Sequence, residues 1–102
     1  MTPEEPSNAA AHETLITAFT RLTQDADALH QQLCVLMATN PDLDASKPLG
    51  RDVVCVLEEQ VGRQMEAARN LWAAGLQREY QVALGHAAGF RAKSEELQRV
   101  RG

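Results

Sequence analysis

A leucine occupies every seventh position from Leu15 to Leu36, at Leu15, Leu22, Leu29 and Leu36, and Phe19, Ala26 and Leu33 fall between them. Gaps alternating between four and three line these side chains along one face of an α-helix, which turns once in about 3.6 residues. A face that regular has to be buried against something. Its partner lies in the same chain, in a second copy or in another protein.

From Ala9 to Thr39 nothing interrupts the helix, and Asn40-Pro41 ends it, because a residue before proline is pushed out of the α region. Residues 1–8, with two prolines and two glutamates, read as a disordered tail, with Ser7 or Asn8 placed to cap the first helix. The stretch "NPDLDASKPLG" at 40–50 is the clear connection, with Ser46 placed as the next cap and Pro48 in the first turn that follows. Asp42, Asp44 and Ser46 are spaced like the opening of a calcium loop. Lys47, however, stands where the turn glycine belongs and Val53 where the closing glutamate belongs, so the stretch reads as a capped turn.

Beyond it, no proline and no cluster of turn residues appears between Arg51 and Arg99. Apolar or small residues recur at Val54, Leu57, Val61, Met65, Ala68, Trp72 and Leu76, then at Tyr80, Ala83, Ala87, Phe90 and Leu97. Gly75 could close a helix in a left-handed cap, but no Ser, Thr, Asp or Asn follows to start another. The favoured expectation is therefore one long helix over 51–99. The chain reads as a tail at 1–8 and a single helical domain at 9–102.

At ~1.5 Å per residue the first helix is about 45 Å long and the second about 70 Å. The expected fold is all-α: an antiparallel helical hairpin with a long second helix, assembling as a dimer into a four-helix bundle. A three-helix bundle broken at Gly75 is the alternative. The dimer follows from an overhang, since Leu76, Tyr80, Phe90 and Leu97 would lie beyond the shorter helix. The expected interface is Leu15, Leu22, Leu29 and Leu36 with Trp72, Leu76, Tyr80, Phe90 and Leu97, and the expected partner is another copy or an amphipathic helix of another protein.

The remaining composition narrows the function. Net charge is −4; residues 1–50 hold seven acids and two bases, residues 51–102 seven acids and eight bases. An acidic whole without a basic, aromatic-studded run argues against nucleic acid, which is gripped by Lys and Arg. The apolar run "LCVLMA" at 33–38 is too short to cross a bilayer, and the acidic, proline-bearing start lacks the pattern of a signal peptide, so a cytoplasmic location is expected. The two cysteines, Cys34 and Cys55, are then expected as free thiols.

His30 and Cys34 stand i,i+4 on the first helix, and Cys55 would lie near Cys34 in an antiparallel hairpin. Imidazole and thiolate at that spacing suit a soft metal. With no fourth ligand and no C-x-x-C pair, the expected reading is no metal and no cofactor, the cysteines acting as small flanking hydrophobes. No nucleophile–base pair, phosphate loop or paired catalytic carboxylates can be picked out, so no enzyme activity is expected. His86, in "ALGHAAGF", is surrounded by small residues, and Gly85 and Gly89 form a face that another helix can approach closely.

The "ALGHAAGF" segment resembles a histidine-phosphotransfer helix, although Gly89 and Phe90 stand where that family places a basic residue and then a glycine. The short acidic helical layout is similar to that of export chaperones of the flagellar or type III kind. The Ala/Leu/Gln-rich helices look like those of phasins, which coat polyester granules. These resemblances imply, respectively, phosphorelay chemistry at His86, a groove for a partner segment, and a coat on a hydrophobic surface, while a metal-sensing alternative rests on His30 with Cys34 and Cys55. The residues themselves favour a non-enzymatic interaction module of adaptor, scaffold or small-chaperone type that self-associates.

Overall fold

A computed structural model of the chain describes residues 4–99, with side chains described from Ala10 onward. Among the described residues the fold is all-α, with three helices: α1 (Glu4–Thr39), α2 (Pro48–Ala73) and α3 (Gln77–Gln98). α2 and α3 pack closely as a hairpin, and α1 lies more loosely along it.

The expected long second helix is interrupted. Gly75 adopts φ +75°, its N–H donates to the carbonyl of Trp72, and the N–H of Leu76 donates to the carbonyl of Leu71. This pair of bonds is a Schellman motif, which satisfies two carbonyls that a helix end would otherwise leave orphaned. Leu76 and Leu71 also belong to one apolar cluster, the contact that accompanies such a cap. α3 then starts directly: Leu76 caps it without a side-chain bond, and its carbonyl accepts from the N–H of Tyr80. No Ser or Asp is needed, because the fold-back buries Phe90 to 6% exposure and Leu97 to 1%. Each such burial is worth roughly 1.5–3 kcal/mol, enough to outweigh an absent cap.

The start of the chain also differs from the expectation. α1 begins at Glu4, so residues 4–8 are helical rather than a tail, while residues 1–3 of that tail lie outside the described residues. Pro6 falls in the first turn, where no intrahelical N–H is lost. At the other end Asn40 terminates α1 as expected, donating both its backbone N–H and its Nδ2 to the carbonyl of Leu36.

The connection spans 40–47. Ser46 does not cap α2; the cap is Lys47, without a side-chain bond, and Pro48 occupies the first turn. Instead the Ser46 hydroxyl and backbone N–H both donate to Asp44 Oδ1, and Lys47 Nζ donates to the Asp42 carbonyl at 2.6 Å. The N–H of Ala45 donates to the carbonyl of Leu97 at 2.7 Å, tying the connection to the end of α3.

Two apolar clusters form the core. Near the connection, Ala26 and Leu33 of α1 meet Val53, Val54 and Leu57 of α2 and Phe90 and Leu97 of α3. Near the α2–α3 turn, Phe19 joins Ala68, Leu71 and Ala83. α1 therefore runs antiparallel to α2, the orientation expected for the leucine stripe. At the closed end of the hairpin Ala11, His12 and Leu15 border Ala73 and Ala74. The molecule measures 66 × 20 × 19 Å.

Candidate interaction site

The stripe on α1 is seated slightly differently from the way its leucines suggest. Phe19, Ala26 and Leu33 are the buried positions, while Leu15, Leu22, Leu29 and Leu36 are half-buried at their margins. On the facing side, α2 buries Leu57, Gln60, Gln64, Ala68 and Leu71. Trp72, expected on that seam, is exposed and instead stacks tilted on Tyr80, with ring centroids 5.0 Å apart. Leu76 and Tyr80 pack against the cluster at the turn. Phe90 and Leu97, expected to need a second copy, are covered by the chain's own fold-back.

Gln60 and Gln64 are the residues that polarity-based reading missed. Gln64 is fully buried, and neither its Oε1 nor its Nε2 has a hydrogen-bond partner among the described residues. Thr23 Oγ1, Gln60 Oε1 and His86 Nδ1 are in the same condition. Along the chain Thr23 falls between the α1 residues of the two apolar clusters, Gln64 between those of α2, and His86 between those of α3. Each helix thus carries, in sequence, a buried polar side chain between its contributions to the two apolar clusters. The signal for it was available, because 57, 60, 64, 68 and 71 step by three and four like any buried seam.

α1 rests on the hairpin mainly through α2 and stands off from α3. Between α1 and α3 lies a groove of about 530 Å³, floored by Ala26, Leu33, Met37 and Phe90. Gly85 and Gly89 open onto it, and a Cβ built on either would meet nothing within 4 Å. His30, Cys34 and His86 stand on its walls, with Asp27 and Lys93 at its ends; Lys93 Nζ lies 3.4 Å from Glu96. The structure therefore brings to one groove the two histidine features that the sequence held apart.

His30 Nε2 lies 3.8 Å from Cys34 Sγ, and both residues are exposed. Cys55 is a second free, exposed thiol, on α2, and it does not line this groove. Among the described residues no three His, Cys, Asp or Glu side chains come together as a group that could hold a metal ion. The half-buried ring of His86 has its Nδ1 shut from solvent. No described helix is long and apolar enough to cross a membrane. No protein-family model, curated protein or solved structure matches this chain.

Proposed function

We propose that this chain is a non-enzymatic helical interaction module that self-associates and receives an amphipathic helix of another protein between α1 and α3. The observation that carries the reading is the groove itself. It runs alongside Ala26 to Met37 of α1, a length of about 16 Å at 1.5 Å per residue, or three helical turns. Apolar side chains spaced i, i+4 and i+7 on an incoming helix match a floor of Ala26, Leu33, Met37 and Phe90. Gly85 and Gly89 lack the Cβ atoms that would hold such a helix away. A fourth helix seated there would complete a four-helix bundle, the arrangement in which three helices of this length bury their remaining apolar faces.

A groove of this kind suits an adaptor, scaffold or small chaperone that receives a helix. The test is site-specific photocrosslinking in the natural host from a residue placed at Gly89, compared with the same residue at Gly62, which is exposed on α2. The expected result is an adduct from position 89 that maps to a helical segment of a partner and disappears when Gly85→Leu fills the groove. Equal trapping from position 62, or an adduct indifferent to Gly85→Leu, would refute the reading.

A further inference from the structure

The seat on which α1 rests has a polar middle. On α2, Val53 and Val56 border Leu29, Leu33 and Leu36 of α1. Gln60 follows these valines by seven and four residues and Gln64 follows Gln60 by four, so both glutamines stand on the side of α2 that α1 covers. Gln60 is 8% exposed and Gln64 fully buried. Gln60 Oε1 and both amide atoms of Gln64 have no hydrogen-bond partner among the described residues. On α1, Thr23 falls between Phe19 and Ala26 on the buried stripe, and its Oγ1 is unpartnered as well. Seating α1 thus withdraws water from three polar side chains and returns no hydrogen bond. That cost opposes the burial of Phe19, Ala26 and Leu33. The closely packed α2–α3 hairpin does not depend on α1 in this way.

We infer that α1 is a movable arm, which swings off the closed α2–α3 hairpin as one rigid helix about Pro41 and Asp42. Residues on either side of that point belong to different bodies. Asn40 closes α1 through its backbone N–H and Nδ2, which both donate to the Leu36 carbonyl. Leu43 is already buried in the core cluster with Phe90 and Leu97, and the Ala45 N–H donates to the Leu97 carbonyl. The carbonyl of Asp44 lies against Gly50, so 43–47 stay with the hairpin. Pro41 and Asp42 are exposed, and one turn bond, from the Leu43 N–H to the Asn40 carbonyl, spans them. Two or three residues at the end of an element are enough to absorb such a rotation.

The swing acts on the groove, because α1 supplies one of its walls, from Ala26 to Met37, and α3 the other. Opening admits water to Thr23, Gln60 and Gln64 and widens the groove; closing restores the arrangement described above. The inference concerns the chain alone and holds whatever fills the groove.

The test is a distance measurement between two nitroxide labels by pulsed electron paramagnetic resonance. The labels sit at Glu13→Cys on α1 and Arg69→Cys on α2, both exposed positions, with Cys34→Ser and Cys55→Ser removing the native thiols. Dilution with unlabelled chain restricts the reading to distances within one copy. Position 13 lies about 42 Å from Pro41 at ~1.5 Å per residue, so a swing of about 20° moves it by roughly 15 Å. The expected result is a main distance for the docked arm and a second, longer one in roughly a tenth of the molecules. Gln60→Leu with Gln64→Leu should shrink that second population roughly fivefold or more, since it removes the unpartnered amides from the seat. A single docked distance in the parent chain would overturn the inference, and so would a longer population that the double variant leaves unchanged. Circular dichroism checks helix content; should the double variant lose helix, Thr23→Val replaces it under the same criteria.

Discussion

Three glycines meet different physics. At Gly50 a Cβ would fall 1.7 Å from the Asp44 carbonyl oxygen, because the connection crosses directly over the first turn of α2. The backbone at 44 is held by its own turn and, through Ala45, by the end of α3. Gly50→Ala must therefore displace that crossing, and a loss of roughly 1–3 kcal/mol is expected in denaturant unfolding. Gly75→Ala has open space but keeps the left-handed backbone, and should lose roughly 1–2 kcal/mol. Gly62→Ala lies in helical backbone with nothing near it, so it should gain roughly 0.5–1 kcal/mol. A stabilised Gly50→Ala or a destabilised Gly62→Ala would contradict this ordering. The same reasoning applies to Gln64, whose buried amide lacks partners among the described residues. Gln64→Met, similar in length, should raise stability by roughly 1–3 kcal/mol. A lower melting temperature would mean that the amide finds a partner in solution.

At the scale of elements, what the sequence made legible was periodicity, and what it hid was the competition between two ways of satisfying a helix end. The run of α1 from Ala9, its stop at Asn40, its antiparallel run along α2 and the Glu59–Arg63 pair, closed at 2.6 Å, all follow from local spacing and short-range chemistry, whereas its start at Glu4 does not. The break at Gly75 does not. Gly75-Leu76 is compatible with a helix end, but whether the chain uses it depends on what Phe90 and Leu97 gain by folding back, a tertiary quantity. The groove was hidden for the same reason, since His30, Cys34, Gly85 and His86 meet only once α3 has turned parallel to α1. Unequal packing also predicts unequal stability. α2 and α3 cover each other along their length, whereas α1 is held more loosely, chiefly against α2. In hydrogen exchange at concentrations too low for association, α1 amides should exchange roughly tenfold or more faster than those in the middle of α2 and α3. Uniform protection across the three helices would show α1 to be as firmly docked as the hairpin is closed.

At the scale of the whole molecule, shape and charge make competing claims about how copies would meet. The radius of gyration is 17.0 Å, against roughly 13 Å for a globule of this chain length, so a large fraction of the side chains lies near the surface. Residues 1–50 are acidic, with seven acids and two bases, while residues 51–102 are nearly balanced, with seven and eight. One route to a dimer would set the acidic α1 of one copy against basic residues of the other's hairpin. The other route sets the uncharged last turns of α1 against themselves. Ionic strength separates them. Raising salt from about 50 to 500 mM shortens the screening length severalfold, which would markedly weaken a dimer held by opposite charges across exposed faces. An association through apolar side chains depends little on screening, and sulfate should tighten it by strengthening apolar burial. We expect the dissociation constant to change by less than about threefold over that salt range, and association to carry a negative heat-capacity change. A dimer that falls apart as chloride rises would place the acidic half of α1, rather than its uncharged end, at the interface.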